Sequence, residues 1–139
     1  MKVRDILTLD PEVIHPNASI CEAAQKMQAR DIGMLPVCDG DRLVGAMTDR
    51  DIVIRAVARG YDPINTRVKD VMTSRIRYCF EDDDVARAAQ IMEDHQIRRL
   101  PVINSAKRLV GMISVGDLAV RTHDEHMVEE VMECVCEPA

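Results

Sequence analysis

Apolar residues occur along this chain with two different spacings, and the spacings change in a fixed order. After Ser19, apolar positions recur every three or four residues to about Arg30, which predicts a helix with one buried face. Two short apolar runs, Leu35–Cys38 and Leu43–Met47, flank a turn that contains glycine and predict a β-hairpin. A second helix is expected over Ile52–Ala58. The first half of the chain is therefore predicted to fold as helix, hairpin and helix.

The second half of the chain repeats this order. Asp84 precedes a helical pattern that runs to about His95, Leu100–Ile103 and Leu109–Ile113 are the strand candidates, and Ser114 begins the last helix. Residue types match in register as well. The matching segments are Val3–Thr8 with Val68–Thr73, Ala23–Gln25 with Ala88–Gln90, Leu35–Val37 with Leu100–Val102, and Leu43–Gly45 with Leu109–Gly111. Such repetition indicates one structural unit that buries its apolar face against its own copy.

The repetition also suggests a division of the chain. Residues 1–62 form the first repeat, 63–67 a linker, 68–122 the second repeat and 123–139 an acidic C-terminal tail. Each repeat is predicted to be a β-α-β-β-α unit. We therefore expect an α/β fold in which two pseudo-symmetric repeats pack as one module. Little chain is left for a separate catalytic domain.

The composition is that of an acidic globular protein. The 139 residues are 47% hydrophobic, which is sufficient to form a compact core. A formal net charge of −6 argues against a surface that neutralises many nucleic-acid phosphates. No apolar run reaches the roughly 18 residues of a membrane span, and no signal-peptide pattern is present. Five cysteines without disulfide spacing favour reduced thiols. We expect a cytoplasmic protein with no nucleic-acid or membrane partner.

The candidate chemistry lies where each hairpin passes into the following helix. Both copies have a glycine, two apolar residues, a hydroxyl residue and then an aspartate three residues later, so that Thr48 pairs with Asp51 and Ser114 with Asp117. A hydroxyl at a helix start can contact phosphate, and an aspartate one turn later can accept hydrogen bonds from a ribose. The same spacing is also an ordinary capping box, which closes the helix end without a ligand. The two interpretations are compatible.

At these residues the chain resembles the CBS domain family, specifically the tandem pair called a Bateman module. The segments that carry the resemblance are Ile32–Val37, Ile97–Val102 and Met47–Val53, the last of which is similar to CBS-pair proteins without an enzyme or channel domain. The family implies a regulatory module, not an enzyme, that binds AMP, ADP, ATP or S-adenosylmethionine in the cleft between its repeats. It also implies a homodimer that relays the signal to a partner protein, here unknown.

The resemblance assigns roles to individual residues. Thr48 and Ser114 would contact phosphate, and Asp51 and Asp117 would hold the ribose. Beyond these, the residues implied to complete the sites are Ile14, Met34, Pro36 and Arg50 in the first, and Cys79, Arg99 and Pro101 in the second. Because an arginine next to a phosphate makes charge-assisted contacts, Arg50 in one site and Arg99 in the other are expected to give the sites different phosphate preferences.

Two alternatives remain open. The pair could be a dimerisation scaffold whose ligand sites are vestigial, or a redox or metal switch. A switch would use thiols and imidazoles near the C-terminus, where sulfur and nitrogen atoms suited to Zn²⁺ are close in sequence. These residues are His123, His126, Cys134 and Cys136. Because no Ser/His/Asp or Cys/His set occurs at matching places, no catalytic residue or catalytic cofactor is expected.

The predicted second helix of the first repeat suggests a dimer. Its apolar positions Ile52, Val53, Ala56 and Val57 are more numerous than one face needs for its own core. Exposed apolar surface of this kind marks an interaction site. We therefore expect this helix to contribute to a homodimer.

Overall fold

The computed structural model describes residues 1–136 and contains two compact units. The first-repeat unit is Glu12–Ile76, and the second-repeat unit combines Met1–Pro11 with the chain from Arg77 onward. The opening segment of each sequence repeat therefore belongs to the unit that is built around the other repeat. The compact units are offset from the sequence repeats for this reason.

The helices and strands follow the predicted order. The strands are β1 (Thr8–Leu9), β2 (Met34–Asp39), β3 (Arg42–Thr48), β4 (Cys79–Phe80), β5 (Arg99–Ile103) and β6 (Leu109–Ser114). The helices are α1 (Ile20–Arg30), α2 (Asp49–Asp51), α3 (Val68–Val71), α4 (Val85–His95), α5 (Val115–Arg121) and α6 (Glu125–Val135). The predicted α/β class with two similar repeats is confirmed.

The two units share one strand arrangement. In the second-repeat unit the sheet order is β1-β6-β5-β4, with β4 parallel to β5 and the other pairs antiparallel. In the first-repeat unit β2 and β3 form an antiparallel hairpin. Isolated β-bridges stand where the other unit has its outer strands: Ile14 pairs in parallel with Val37, and Thr73 pairs antiparallel with Ala46. The outer strands of the first-repeat unit are thus reduced to one bridge each.

Each unit has its own hydrophobic core, formed by one face of a helix against one face of a hairpin. The apolar spacing of α1 and α4 predicted these buried faces, and the structure confirms them. In the first-repeat unit the core includes Ile20, Ala23, Met27, Leu35, Val37 and Met47. In the second-repeat unit it includes Ala88, Ala89, Met92, Leu100, Val102 and Ile113.

The helix after β3 differs from a regular α-helix. After α2, Ile52–Ala56 is π-helical and Val57–Arg59 is a 3-10 turn that ends at Gly60, whose φ is 72°. Ala56 is fully buried and the half-buried Ile52 packs against the same core, so neither belongs to the apolar surface that we expected to be free. That expectation was wrong for these two residues, because helical spacing identifies an apolar position without fixing which side faces the core.

The acidic C-terminal segment is more ordered than a solvated tail. Helix α6 begins at the Asp124 cap and packs against α4 and α5. Val131 is fully buried, and Val128 and Val135 pack against the same core. These residues are spaced three or four apart, which is the pattern of an amphipathic helix. Residues 137–139 of the expected tail lie outside the described residues.

Membrane insertion was not expected from the sequence. None of the helices within residues 1–136 has both the length and the hydropathy needed to cross a bilayer.

Candidate ligand-binding sites

The first candidate site lies on the side of the β2–β3 hairpin that faces away from the core. Met34 is paired with Thr48, and Pro36 with Ala46. Residues paired across a hairpin share a face, and alternate residues of one strand do as well. Leu35, between the two β2 residues, points the other way and is fully buried in the core. The hydroxyl of Thr48 and the two residues Met34 and Pro36 therefore share one face.

The second hairpin has the same arrangement with different chemistry. Arg99 is paired with Ser114, and Pro101 with Met112, while Leu100 points into the core and is fully buried. The guanidinium group of Arg99 thus takes the place of the Met34 thioether, directly across from the hydroxyl residue. The two candidate sites differ by one positive charge at equivalent strand positions.

Both hydroxyl and aspartate pairs form complete capping boxes. The amide of Asp51 donates to Oγ1 of Thr48 at 3.0 Å, and the amide of Thr48 donates to Oδ2 of Asp51 at 3.1 Å. The amide of Asp117 donates to Oγ of Ser114 at 3.1 Å, and the amide of Ser114 donates to Oδ2 of Asp117 at 2.9 Å. The capping function is therefore present at both sites. It also fixes each carboxylate beside its hydroxyl.

The Asp51 carboxylate has further partners from a distant part of the chain. Its residue is only 9% exposed. The Thr73 hydroxyl donates to both carboxylate oxygens at 3.4 Å, and Nε of Arg55 lies 3.8 Å from Oδ1. The same Arg55 side chain donates to the carbonyl oxygen of Met72 at 3.1 Å. Asp51 is thus held by Thr73 from the opening segment of the second sequence repeat and by Arg55 from its own helix.

The Asp117 carboxylate also receives a threonine hydroxyl from the opening segment of the other sequence repeat. The Thr8 hydroxyl donates to Oδ1 of Asp117 at 3.4 Å, and the Ser114 hydroxyl donates to Oδ2 at 3.1 Å. Arg121, at the position equivalent to Arg55, donates to the carbonyl oxygen of Ile6 at 3.1 Å. Sequence reasoning did not select Thr8 or Thr73 as site residues. The matching segments Val3–Thr8 and Val68–Thr73, which both end in threonine, contained that signal.

The side chains of the two remaining site residues, Ile14 and Cys79, are buried in the hydrophobic cores and lie on the opposite face from Met34 and Pro36 or Arg99 and Pro101. The amide of Ile14 donates to the carbonyl oxygen of Pro36 at 3.0 Å, which places this residue next to β2. Cys79 lies in β4, paired with Val102. Burial, with a smaller contribution from the charge of Asp83, raises the pKa of the Cys79 thiol to about 12. Cys79 is therefore a neutral core residue at physiological pH, not a reactive thiolate.

The arginines of the two sites are available for an anion. Among residues 1–136, neither Arg50 nor Arg99 has an ion-pair partner, and both side chains are exposed. Arg98 instead donates to Sγ of Cys136 at 3.7 Å.

The residues of the alternative metal switch do not converge. Within the described residues, no group of three or more His, Cys, Asp or Glu side chains is arranged to hold a metal ion. His126 lies 3.0 Å from a carboxylate oxygen of Glu130, its neighbour one turn along α6. Cys136 lies at the other end of the helix, next to Arg98.

Comparison with known proteins identifies the family of this chain. The CBS domain model matches residues 3–57 and again 68–123, so the chain belongs to the CBS domain family and contains two CBS repeats. Hypoxic response protein 1 of Mycobacterium tuberculosis is 38% identical over 97% of this chain and 94% of its own length. CBS domain-containing protein YhcV of Bacillus subtilis is 39% identical over 85% of this chain and 83% of its own.

Two solved structures are informative about ligands. A crystal structure of Hypoxic Response Protein I, with two coordinated zinc ions, has a TM-score of 0.78 and 38% identity over 86% of this chain and 97% of its own. A CBS domain pair in complex with 5′-methylthioadenosine and S-adenosyl-L-methionine has a TM-score of 0.73 and 32% identity over 86% of this chain and 93% of its own. CBS pairs of this structure therefore include proteins that bind adenosyl compounds.

Proposed function

We propose that this protein is a regulatory module, without catalytic activity of its own, that binds an adenosyl compound at each repeat and relays its binding to a partner protein. One observation carries the proposal. A hydroxyl and a carboxylate lie side by side at the same point of both hairpins, on the face that the core does not use. The adenosyl complex of a related CBS pair supports the choice of ligand class.

At the first site the carboxylate of Asp51 would accept the ribose hydroxyls, and the Thr48 hydroxyl would contact the phosphate. Arg50 is exposed on the first turn after β3 and would supply a positive charge to the phosphate chain. Pro36 is buried and would form an apolar wall for the base, together with the half-buried Met34. Ile14, whose side chain lies in the core, would hold Pro36 in place through its amide.

At the second site Asp117 and Ser114 would take the same roles. Arg99, opposite Ser114 in the hairpin, would place its guanidinium group next to the phosphate. Pro101 is buried and uncharged, and would form a wall of the base pocket. Cys79, whose side chain lies in the core, would border the pocket only through its strand. Since the positive charge belongs to the helix at the first site and to the strand at the second, we expect the sites to prefer ligands of different phosphate number.

The experiment is isothermal titration of the protein with AMP, ADP, ATP and S-adenosylmethionine. Asp51→Asn and Asp117→Asn should each weaken one of two binding events by about tenfold to a hundredfold, because each removes a charged hydrogen-bond acceptor worth roughly 1.5–3 kcal/mol. Asp49→Asn is the matched control, since Asp49 is an exposed neighbour that caps only the Arg50 amide, at 2.8 Å. The control should bind like the parent protein.

Measuring thermal stability beside ligand affinity separates the ligand-binding role of each aspartate from its helix-capping role. Asparagine keeps one oxygen acceptor, so loss of the cap alone should cost about 1 kcal/mol or less, and somewhat more at Asp51 because of its Arg55 partner. If both aspartate variants bind like the parent but melt at lower temperature, the residues are caps only. If no compound of the series binds the parent protein at millimolar concentration, a dimerisation scaffold replaces the sensor.

Homodimer formation is part of the proposal. Val53 and Val57 are 57% and 64% exposed on the helix after β3, and Ile54 is 46% exposed. Contiguous apolar surface of this kind favours association. Light scattering at tens of micromolar should give twice the monomer mass, and Val53→Ser with Val57→Ser should reduce it. Leu9→Ser, which removes a similarly exposed side chain from β1, should leave the mass unchanged.

A further inference from the structure

Each candidate site contains a second hydroxyl that already occupies the carboxylate. Thr8 donates to Asp117 and Thr73 donates to Asp51, in both cases at 3.4 Å. An O–H···O hydrogen bond is normally 2.7–2.8 Å long, so both contacts are weak. The equivalence of the two contacts, across two repeats that differ at most other positions, indicates a shared role.

The number of donors on each carboxylate limits what else it can accept. An ionised carboxylate offers about four lone-pair directions. Asp117 already receives the Ser114 amide, the Ser114 hydroxyl and the Thr8 hydroxyl, so about one direction remains. Asp51 receives the Thr48 amide and the Thr73 hydroxyl, and Nε of Arg55 lies 3.8 Å from Oδ1, so about one to two directions remain. The two hydroxyls of a ribose therefore exceed the capacity that is left at Asp117, and at Asp51 they compete with the weakest donor.

The threonine hydroxyl is the donor that can leave at least cost. The Ser114 hydroxyl and amide close the helix cap at 3.1 and 2.9 Å, whereas the Thr8 contact is longer and exposed to solvent. The Thr8 main chain does not depend on this contact. It is paired with Met112 in the sheet, and the preceding carbonyl of Ile6 is held by Arg121. The hydroxyl can rotate toward water while its segment stays in position.

We infer that a threonine hydroxyl and a ribose hydroxyl exchange at the same carboxylate, so that Thr8 opposes ligand binding at Asp117 and Thr73 opposes it more weakly at Asp51. This inference rests on the proposed function, since it names what the ribose must displace. It makes both threonines specificity-determining residues, because only a ligand with free ribose hydroxyls has to displace them. A ligand without these hydroxyls leaves the threonine contact intact.

The test compares binding affinities when the threonine hydroxyl is removed from the protein and when the ribose hydroxyls are removed from the ligand. The Asp51→Asn background weakens the first site, so that binding reports on the second. In this background Thr8→Val should bind ATP about threefold to tenfold more tightly, because the Thr8–Asp117 hydrogen bond no longer has to be broken. Thr8→Ser keeps the hydroxyl and should bind like the background protein. With 2′,3′-dideoxy-ATP all three proteins should bind equally. In an Asp117→Asn background, Thr73→Val should give a smaller gain.

The outcomes distinguish this inference from the proposed function. If ATP, AMP and S-adenosylmethionine all fail to bind the parent protein, both fall, because no ribose reaches the carboxylates. If ATP binds but Thr8→Val leaves the affinity unchanged or lowers it, the hydroxyl exchange is wrong while the proposed function stands. A gain that is equally large with the dideoxy ligand would also overturn it, because the effect would then come from packing.

Discussion

Replacement of Gly111 by alanine tests how the Thr8 segment lies on strand β6. A Cβ at this position would meet the carbonyl oxygen of Thr8 at less than any normal contact distance and would lie 2.5 Å from Cδ1 of Leu7. The Thr8 oxygen belongs to the main chain and Leu7 is buried, so neither can simply rotate away. β1 would have to separate from β6, and we expect a loss of about 2–3 kcal/mol. The melting temperature should fall by about 6–12 °C.

Gly116→Ala is the matched control. It lies in α5 of the same unit, and its added Cβ would have the Ser114 Oγ as nearest neighbour, at 3.5 Å. Alanine is the better helix former, so this change should stabilise the protein by about 0.5–1 kcal/mol. Thermal and urea unfolding measure both variants, and amide hydrogen exchange should increase in β1 and β6 only for Gly111→Ala. Equal stability of Gly111→Ala and the parent protein would refute this packing of β1.

Three further predictions concern other parts of the chain. Burial raises the pKa of the Cys38 thiol to about 11 and that of Cys79 to about 12, so iodoacetamide at pH 8 should label exposed Cys136 first, as measured by mass spectrometry. Burial and nearby carboxylates raise the pKa of Glu93, so its folded state holds the proton more tightly than the unfolded state and stability falls as pH rises through that pKa. Glu93→Gln should then raise the unfolding free energy at pH 7, by only about a few tenths of a kcal/mol because solvent screens the charges, and should have no effect at pH 3. Val131→Ala should cost about 1–2 kcal/mol in unfolding free energy if α6 is packed, and nothing if the helix is detached.

Much of the fold could be predicted because it depends on local spacing. Helices α1 and α4 and the two hairpins follow from apolar residues at helical or strand periodicity, which act over a few neighbouring positions. The pairs Thr48 with Asp51 and Ser114 with Asp117 were found for the same reason, since residues three apart in a helix start always meet. The packing of α6 was also visible in its apolar spacing, but the high charge of the segment concealed it.

The amino-acid sequence by itself determined the two repeats, their helices and hairpins, and the hydroxyl beside each aspartate. Only the tertiary structure decided which hairpin each opening segment joins, and so which threonine reaches which carboxylate. Thr8 and Asp117 are 109 residues apart, and Thr73 and Asp51 are 22 apart. Nothing in the spacing near Thr8 or Thr73 specifies those partners, because an edge strand can pair with any free sheet edge of matching shape. The choice depends on close approach at Gly45 and Gly111 and on buried apolar surface, which exist only once each unit has folded.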